Sequence, residues 1–180
     1  MAPGEDAARD VLSHALGTMK GFDPVHFAQL ESRIITPVRF FGSWYDPADG
    51  GLIFDGRINT TDGRCLTRPK YRDLKGVKHS SSGYGCKEEA GSGGDFAHLF
   101  CQPPYGLHAR PEDVQAMFDA ITSVILPKDE DAEIRDWTTV ALAEVSPYFK
   151  AGLEWWGILL ATIYLPQSRK LSVIMASTTD

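Results

Sequence analysis

The feature that most constrains this fold is an apolar run, Leu153–Leu165, that is hydrophobic on both sides of an extended chain. Successive side chains of a β-strand point to opposite faces. Leu159 and Ile163 therefore point one way, whereas Leu160 and Tyr164 point the other way. A strand with two apolar faces lies inside a sheet that is covered on both sides. We predict that this run is the central strand of the fold.

The surrounding sequence alternates between helical and strand-like periodicity, which is typical of an α+β fold. Apolar residues spaced by three and four predict helices over residues 5–19, 24–30 and 111–125. Runs of β-branched and aromatic residues predict strands over residues 37–46, 51–61, 95–101, 134–145, 153–165 and 170–177, the first two forming a hairpin. We therefore expect a single globular domain over residues 1–180. It would contain a mostly antiparallel sheet of about five to six strands, with two or three helices packed on one face.

The predicted helix over residues 111–125 begins with Pro111, because proline is favoured at the first position of a helix. Its apolar residues recur at helical spacing and comprise Val114, Met117, Phe118, Ile121 and Ile125. These residues form the apolar stripe of an amphipathic helix.

Residues 60–94 differ from the rest of the chain, because they hold few aliphatic side chains and many glycines and serines. We expect a long, basic, Gly/Ser-rich loop there. Residues 57–78 contain seven Lys or Arg against two Asp, a net charge of +5, so the rest of this −6 chain carries −11. The cations that we expect to bind an anionic ligand are Arg64, Arg68, Lys70 and Arg72.

Two interpretations of this loop remain open. Serine hydroxyls and glycine amides, as in SSSGYG at 80–85, can cradle a phosphate group beside cations, although the GxxxxGK[ST] motif is absent. Alternatively, the charges belong to a solvated surface loop. Tyr71 and Tyr84 lie among the charges, as in proteins that bind single-stranded nucleic acid. The chain is acidic and lacks a recognised nucleic-acid-binding motif, so we do not expect a nucleic-acid partner.

Glu154 is a candidate catalytic residue, because it stands beside Trp155 and Trp156 where the predicted central strand begins. Apolar neighbours raise the pKa of a carboxyl, and such a group can serve as a general acid or base. The alternative is a carboxylate at the end of a strand that simply meets solvent.

The cysteines and histidines provide a second catalytic candidate. Cys86 lies in a basic, glycine-rich setting that lowers the pKa of a thiol, and His79 is its nearest candidate base. His79, Cys86, His98 and Cys101 have the spacing H-x6-C-x11-H-x2-C. The second pair could chelate zinc, but the first pair is loosely spaced and no CxxC or HExxH motif is present. His98 and Cys101 would also point to opposite faces of the predicted strand. We expect no metal site and no cofactor, and we place Cys101 in the core.

The last quarter of the chain contains a distinctive set of short segments, most of them with aromatic residues. It comprises Asp136-Trp137, then Tyr148-Phe149-Lys-Ala-Gly-Leu-Glu154-Trp155-Trp156-Gly157, and the closing Ala176-Ser-Thr-Thr-Asp180. This pattern resembles one found in small uncharacterised bacterial proteins. The resemblance implies a small bacterial cytoplasmic protein, of a kind that includes proteins guarding against toxins. It implies no catalytic residues.

The sequence opens without a charged and apolar leader, and no apolar stretch reaches the roughly 18 residues needed to span a bilayer. The odd number of cysteines argues against a disulfide framework. We therefore expect a cytoplasmic protein with no membrane partner.

Two functions are compatible with these features. The first is a domain that binds a protein partner, such as an immunity protein that neutralises a basic toxin enzyme. Its acidic surface would steer association, and Trp44, Trp137 and Trp156 would be binding hot spots if they are exposed. The second is a small enzyme or ligand-binding domain. It would act on a phosphate-bearing substrate through residues 57–79, with Glu154 or Cys86 as the reactive group.

Overall fold

An antiparallel sheet between two groups of helices organises the part of the chain that the computed structural model describes. The model describes residues 3–46, 50–54, 57–59, 65–66, 96–101, 103, 107–153 and 157–177. The helices are α1 (Pro3–Gly17), α2 (Pro24–Ala28), α3 (Pro37–Phe41), α4 (Phe96–Cys101), α5 (Pro111–Ile125), α6 (Leu142–Val145) and α7 (Pro147–Leu153). The strands are β1 (Arg33–Ile35), β2 (Tyr45–Asp46), β3 (Gly51–Phe54), β4 (Arg57–Asn59), β5 (Cys65–Leu66), β6 (Glu133–Asp136), β7 (Ile158–Leu165) and β8 (Lys170–Ser177).

The central sheet has the strand order β1-β6-β7-β8, and all its pairs are antiparallel. Strand β7 has a neighbour on each side, and seven of its eight residues are buried. Leu159 and Ile163 belong to the apolar cluster on one face, whereas Ile158 and Leu160 belong to the cluster on the other face. The prediction of an interior strand with two apolar faces is therefore confirmed for β7.

Both faces of the central sheet are covered, so the prediction of helices on one face is wrong. Helices α1, α2, α6 and α7 contribute to one apolar cluster. Helices α3, α4 and α5 contribute to the other, together with Leu52 of β3. The mostly antiparallel α+β class is confirmed. The strands are divided between two sheets of four, rather than forming one sheet of five to six, because β2, β3, β4 and β5 pair only with one another.

Strand β7 begins at Ile158, five residues later than predicted, because Pro147–Leu153 form helix α7. Gly152 lets this helix approach the sheet closely. A Cβ atom at position 152 would lie 2.7 Å from the Ile158 side chain and 2.9 Å from the Gly157 carbonyl oxygen. A side chain there would push the helix away, so glycine permits the contact.

The strand predicted over residues 134–145 ends at Asp136. The Asp136 carboxylate accepts a hydrogen bond from the Thr138 backbone N–H at 2.9 Å. Aspartate side chains that bond the backbone two residues ahead favour turns over continued strands. The chain then enters α6, Leu142–Val145, rather than continuing the strand.

Two further predicted strands contain short helices. Helix α3 takes up the first half of the first hairpin strand, because Thr36 Oγ1 accepts a bond from the Arg39 N–H at 3.2 Å and Pro37 opens the helix. The end of that strand survives as β2, which pairs antiparallel with β3, so the predicted hairpin is confirmed in a shorter form. Helix α4 replaces the strand over residues 95–101, where four of the six residues are buried. A short run that is apolar on every side does not distinguish a helix from a strand.

A partly buried network of charges joins α1, β1 and β6. Arg135 bonds Glu133 at 2.6 Å, Glu5 at 3.1 Å and Ser32 at 3.1 Å. The next residue, Asp136, is buried and forms an ion pair with Arg33 at 2.8 Å. Burial raises the pKa of Asp136, while the hydrogen bonds from Thr138 and Arg33 oppose that change.

No described helix is both long and apolar enough to cross a membrane.

Candidate protein-interaction surface

Trp137 is fully buried, so the proposal that it is an exposed binding hot spot is wrong for the described structure. Its indole N–H donates to Thr162 Oγ1 at 3.0 Å. The Arg9 guanidinium lies over the indole ring, 4.9 Å from its centroid. These contacts fix Trp137 between α1 and β7, where it stabilises the fold and offers no surface to a partner.

Trp44 is half-buried and packs against the cluster formed by α3, α4 and α5. Its ring meets His98 edge-on, with ring centroids 4.9 Å apart. Trp44 therefore supports α4, and only part of its side chain faces solvent.

The remaining predicted site residues lie outside the described residues. They are Glu154, Trp156, His79, Cys86, Arg64, Arg68, Lys70 and Arg72, and the long loop over residues 60–94 is outside as well, apart from Cys65–Leu66. Their proposed roles stay predictions. Among the residues that are described, no group of three or more His, Cys, Asp or Glu side chains is arranged to hold a metal ion.

His98 and Cys101 lie three residues apart on α4, and a helix brings residues at that spacing onto one face. The prediction that they point to opposite faces is wrong, because it assumed a strand. Both side chains are buried, so the placement of Cys101 in the core is confirmed. Burial raises the pKa of Cys101 to about 12. The thiol therefore stays protonated at neutral pH and is a poor nucleophile.

His98 predicts a loss of stability in acid. Burial lowers the pKa of His98 from 6.5 to about 4. Its contribution to the free energy of unfolding is therefore complete above pH 6.5 and is lost as the pH falls towards 4, because the unfolded chain binds the proton more tightly. The shift corresponds to about 3 kcal/mol. We expect urea unfolding of His98→Gln to show a smaller loss between pH 6.5 and pH 4 than the wild type. Equal losses would contradict this origin.

Helix α5 leaves an apolar face exposed. Of the predicted stripe, Val114 and Phe118 are buried against the sheet and Ile125 is half-buried, but Met117 and Ile121 are each 42% exposed. The apolar stripe is therefore divided between the core and the solvent. The exposed apolar positions of this helix are Ala116, Met117, Ala120, Ile121 and Val124, which we call the α5 face. A contiguous exposed apolar patch of this kind typically marks an interaction site.

Acidic residues flank both ends of the α5 face. Arg110, Glu112 and Asp113 at its start give a net charge of −1, and all three are exposed. Arg110 bonds Asp113 at 2.9 Å and lowers the pKa of that carboxyl, so Asp113 stays ionised at neutral pH. Residues 128–131, Lys-Asp-Glu-Asp, follow the helix and carry −2, and the Lys170 ammonium on the Val124 carbonyl brings this end to −1. The apolar strip therefore lies between two negative ends.

A cavity of about 410 Å³ adjoins the α5 face. Its lining includes Asp119, Thr122, Ser123, Lys128 and Asp129. Ser123 is exposed and belongs to the same solvent side of the helix as the α5 face, so the two features are continuous. The cavity brings two carboxylates together with one ammonium group, which favours a cationic occupant.

The cavity carboxylate of Asp119 is held in place from the core. Gln115 is buried, and its amide nitrogen donates to Asp119 Oδ1 at 2.8 Å. The amide oxygen of Gln115 accepts the backbone N–H of Leu52 at 2.7 Å, which ties the helix to β3. Sequence reasoning missed both Gln115 and Asp119, because their roles depend on the packing of β3 against α5.

No family model, curated protein sequence or solved structure matches this chain. The functional assignment therefore depends on the geometry and charge of the surface just described.

Proposed function

We propose that this protein binds a basic protein partner, as an immunity protein binds a toxin enzyme. The observation that supports the proposal is the α5 face, an uncovered apolar strip with acidic residues at both ends. Apolar area supplies most of the affinity of an interface, and complementary charge supplies orientation and rate. The chain outside residues 57–78 carries −11, so long-range attraction favours a basic partner.

The bacterial cytoplasmic setting and the toxin-neutralising role are part of the same proposal. The resemblance of the C-terminal quarter to small bacterial proteins supports both. Within the described residues, burial keeps the His98 imidazole neutral and the Cys101 thiol protonated at neutral pH.

Co-expression with the products of neighbouring genes tests the proposal. We expect one neighbouring gene to encode a basic protein that inhibits growth, and we expect this chain to relieve the inhibition. Titration calorimetry of the purified pair should give a one-to-one complex with a Kd below about 1 μM that weakens with added salt.

The opposite outcome would favour an enzyme or ligand-binding domain. If no neighbouring product binds, and one phosphorylated metabolite raises the melting temperature by several degrees, residues 57–79 are the functional element instead. That result would contradict the proposed protein-binding function.

A further inference from the structure

We infer that the α5 face receives an amphipathic helix of the partner, with cationic side chains at the acidic ends and one in the adjoining cavity. This inference rests on the proposed function, because it specifies the partner's contact surface. The occupant is a basic helix of the partner rather than a second copy of this chain.

The shape of the α5 face fits a helix. Met117, Ile121 and Val124 follow the spacing i, i+4 and i+7, which forms a ridge along one side of the helix. Ala116 and Ala120 lie beside this ridge and leave a shallow groove. Helices pack by placing the ridge of one into the groove of the other. From Glu112 to Val124 the surface runs about 18 Å, which matches three to four turns of a partner helix.

The charge of the surface selects a basic occupant over a second copy. Both ends of the α5 face are negative, at residues 110–113 and at residues 128–131. Two copies packed in antiparallel orientation would bring the start of one α5 to the end of the other. Parallel packing would bring identical acidic ends together. Either arrangement opposes like charges, which disfavours association, whereas a helix with Lys or Arg at both ends is attracted.

The cavity beside α5 provides an anchor for one cationic side chain. Asp119 and Asp129 line it, and the Gln115 amide holds Asp119 in a fixed position. The C-terminal end of a helix also attracts cations through its carbonyl groups. The chain itself shows this preference, because the Lys170 ammonium donates to the Val124 carbonyl oxygen at that end. Lys128 also lines the cavity, so Asp119 and Asp129 leave it a net charge of −1 that attracts a guanidinium or ammonium group from a partner.

A synthetic peptide pair provides the test. The basic peptide has about 18 residues, enough to form a helix on binding. It carries leucines at i, i+4, i+7 and i+11 and clusters of Lys and Arg at both ends. The matched peptide replaces each Lys and Arg with Glu. Fluorescence anisotropy measures the binding of each labelled peptide to the full chain at about 50 mM and 500 mM salt, where screening differs strongly.

Only the basic peptide is expected to bind, with a Kd of about 1–100 μM, because the face is smaller than a standard interface. High salt is expected to weaken binding at least about tenfold. Val124→Lys should weaken it about tenfold or more, because burying the new ammonium in the interface is costly. Val140→Lys is the matched control, because Val140 is 54% exposed and Val124 is 55% exposed. We expect this control to change the Kd less than about twofold.

The cavity anchor has its own pair of variants. Asp119→Asn removes one negative charge yet keeps an oxygen for Gln115, and we expect it to weaken binding about three- to tenfold. Glu144→Gln removes the same charge from an exposed position on α6 and should leave binding unchanged. Equal effects of these two variants would show that general attraction, rather than the cavity, holds the peptide, and would overturn the anchor.

Four results would overturn the inference as a whole. The first is failure of the basic peptide to bind, or equal binding of the acidic peptide. The second is equal weakening by Val124→Lys and Val140→Lys. The third is a wild-type dimer in light scattering that Val124→Lys converts to a monomer, which would identify a second copy as the occupant. A natural partner that binds wild type and Val124→Lys equally would also overturn it, yet leave the proposed function standing. The absence of any partner would contradict the proposed function itself.

Discussion

Replacing Trp137 with alanine is expected to lower the free energy of unfolding by about 3–5 kcal/mol, the cost of deleting a large aromatic side chain from a core. Trp137 is the largest of the fully buried side chains among the described residues. It joins α1 to the central sheet through Arg9 above its ring and Thr162 at its indole nitrogen. Its loss removes apolar burial, a cation–π contact and a hydrogen bond together.

Two companion variants separate these contributions. Trp137→Phe keeps much of the buried apolar volume but removes the donor to Thr162, so we expect a smaller loss of about 1–3 kcal/mol. Adding Thr162→Val to Trp137→Phe removes the unpaired hydroxyl and should recover part of that loss. Urea unfolding monitored by circular dichroism measures all three. A loss below about 1 kcal/mol for Trp137→Ala would show that this residue is exposed in solution, as the sequence-based hypothesis assumed.

Replacing Arg135 with methionine is expected to destabilise the protein by about 1.5–3 kcal/mol, the range for losing hydrogen bonds to charged groups, because its carboxylate partners are only partly buried. The Arg135 side chain is only 6% exposed, and it separates the carboxylates of Glu5 and Glu133. Without the guanidinium, two negative groups in a partly desolvated site lose their shared partner. The loss of charge thus costs more than the loss of packing, because methionine fills much of the same volume.

The matched control for this prediction is Arg110→Met. Arg110 also pairs with two carboxylates, but its side chain is 72% exposed and solvent screens the interaction. We expect no measurable change in the free energy of unfolding there. Combining Arg135→Met with Glu5→Gln and Glu133→Gln should restore part of the lost stability. Equal effects of Arg135→Met and Arg110→Met in urea unfolding would contradict the partly buried network.

The parts of the fold that could be predicted from the sequence are the long segments with a regular apolar pattern. Strand β7 has an apolar residue at nearly every position, and helix α5 has apolar residues at regular helical spacing, so both were identified. Short segments were misassigned where a local hydrogen bond decides the conformation. Thr36 caps a helix where aromatic residues favoured a strand, and Asp136 ends a strand by binding the Thr138 N–H. The periodicity of apolar residues does not predict such side-chain to backbone hydrogen bonds.

The interaction surface was only partly predictable, because residue type does not tell which side of an element meets the core. Trp137 was selected as an interface residue for its size and is buried instead. Met117 and Ile121 share the helical spacing of the buried Val114 and Phe118, yet they are exposed. The acidic residues at both ends of α5 are visible in the sequence. They indicate a docking surface only when the exposed side of the helix is known, because charges orient a partner where they flank an exposed apolar area.

Amide chemical-shift mapping of the full chain titrated with the basic helical peptide tests the central claim most directly. We expect the largest changes in amide chemical shift within residues 112–129, on the exposed side of α5 and around the adjoining cavity. We also expect the acidic peptide to leave those amides unchanged. Largest changes on α1, β8 or residues 57–79, or no changes at all, would contradict a docking surface on α5.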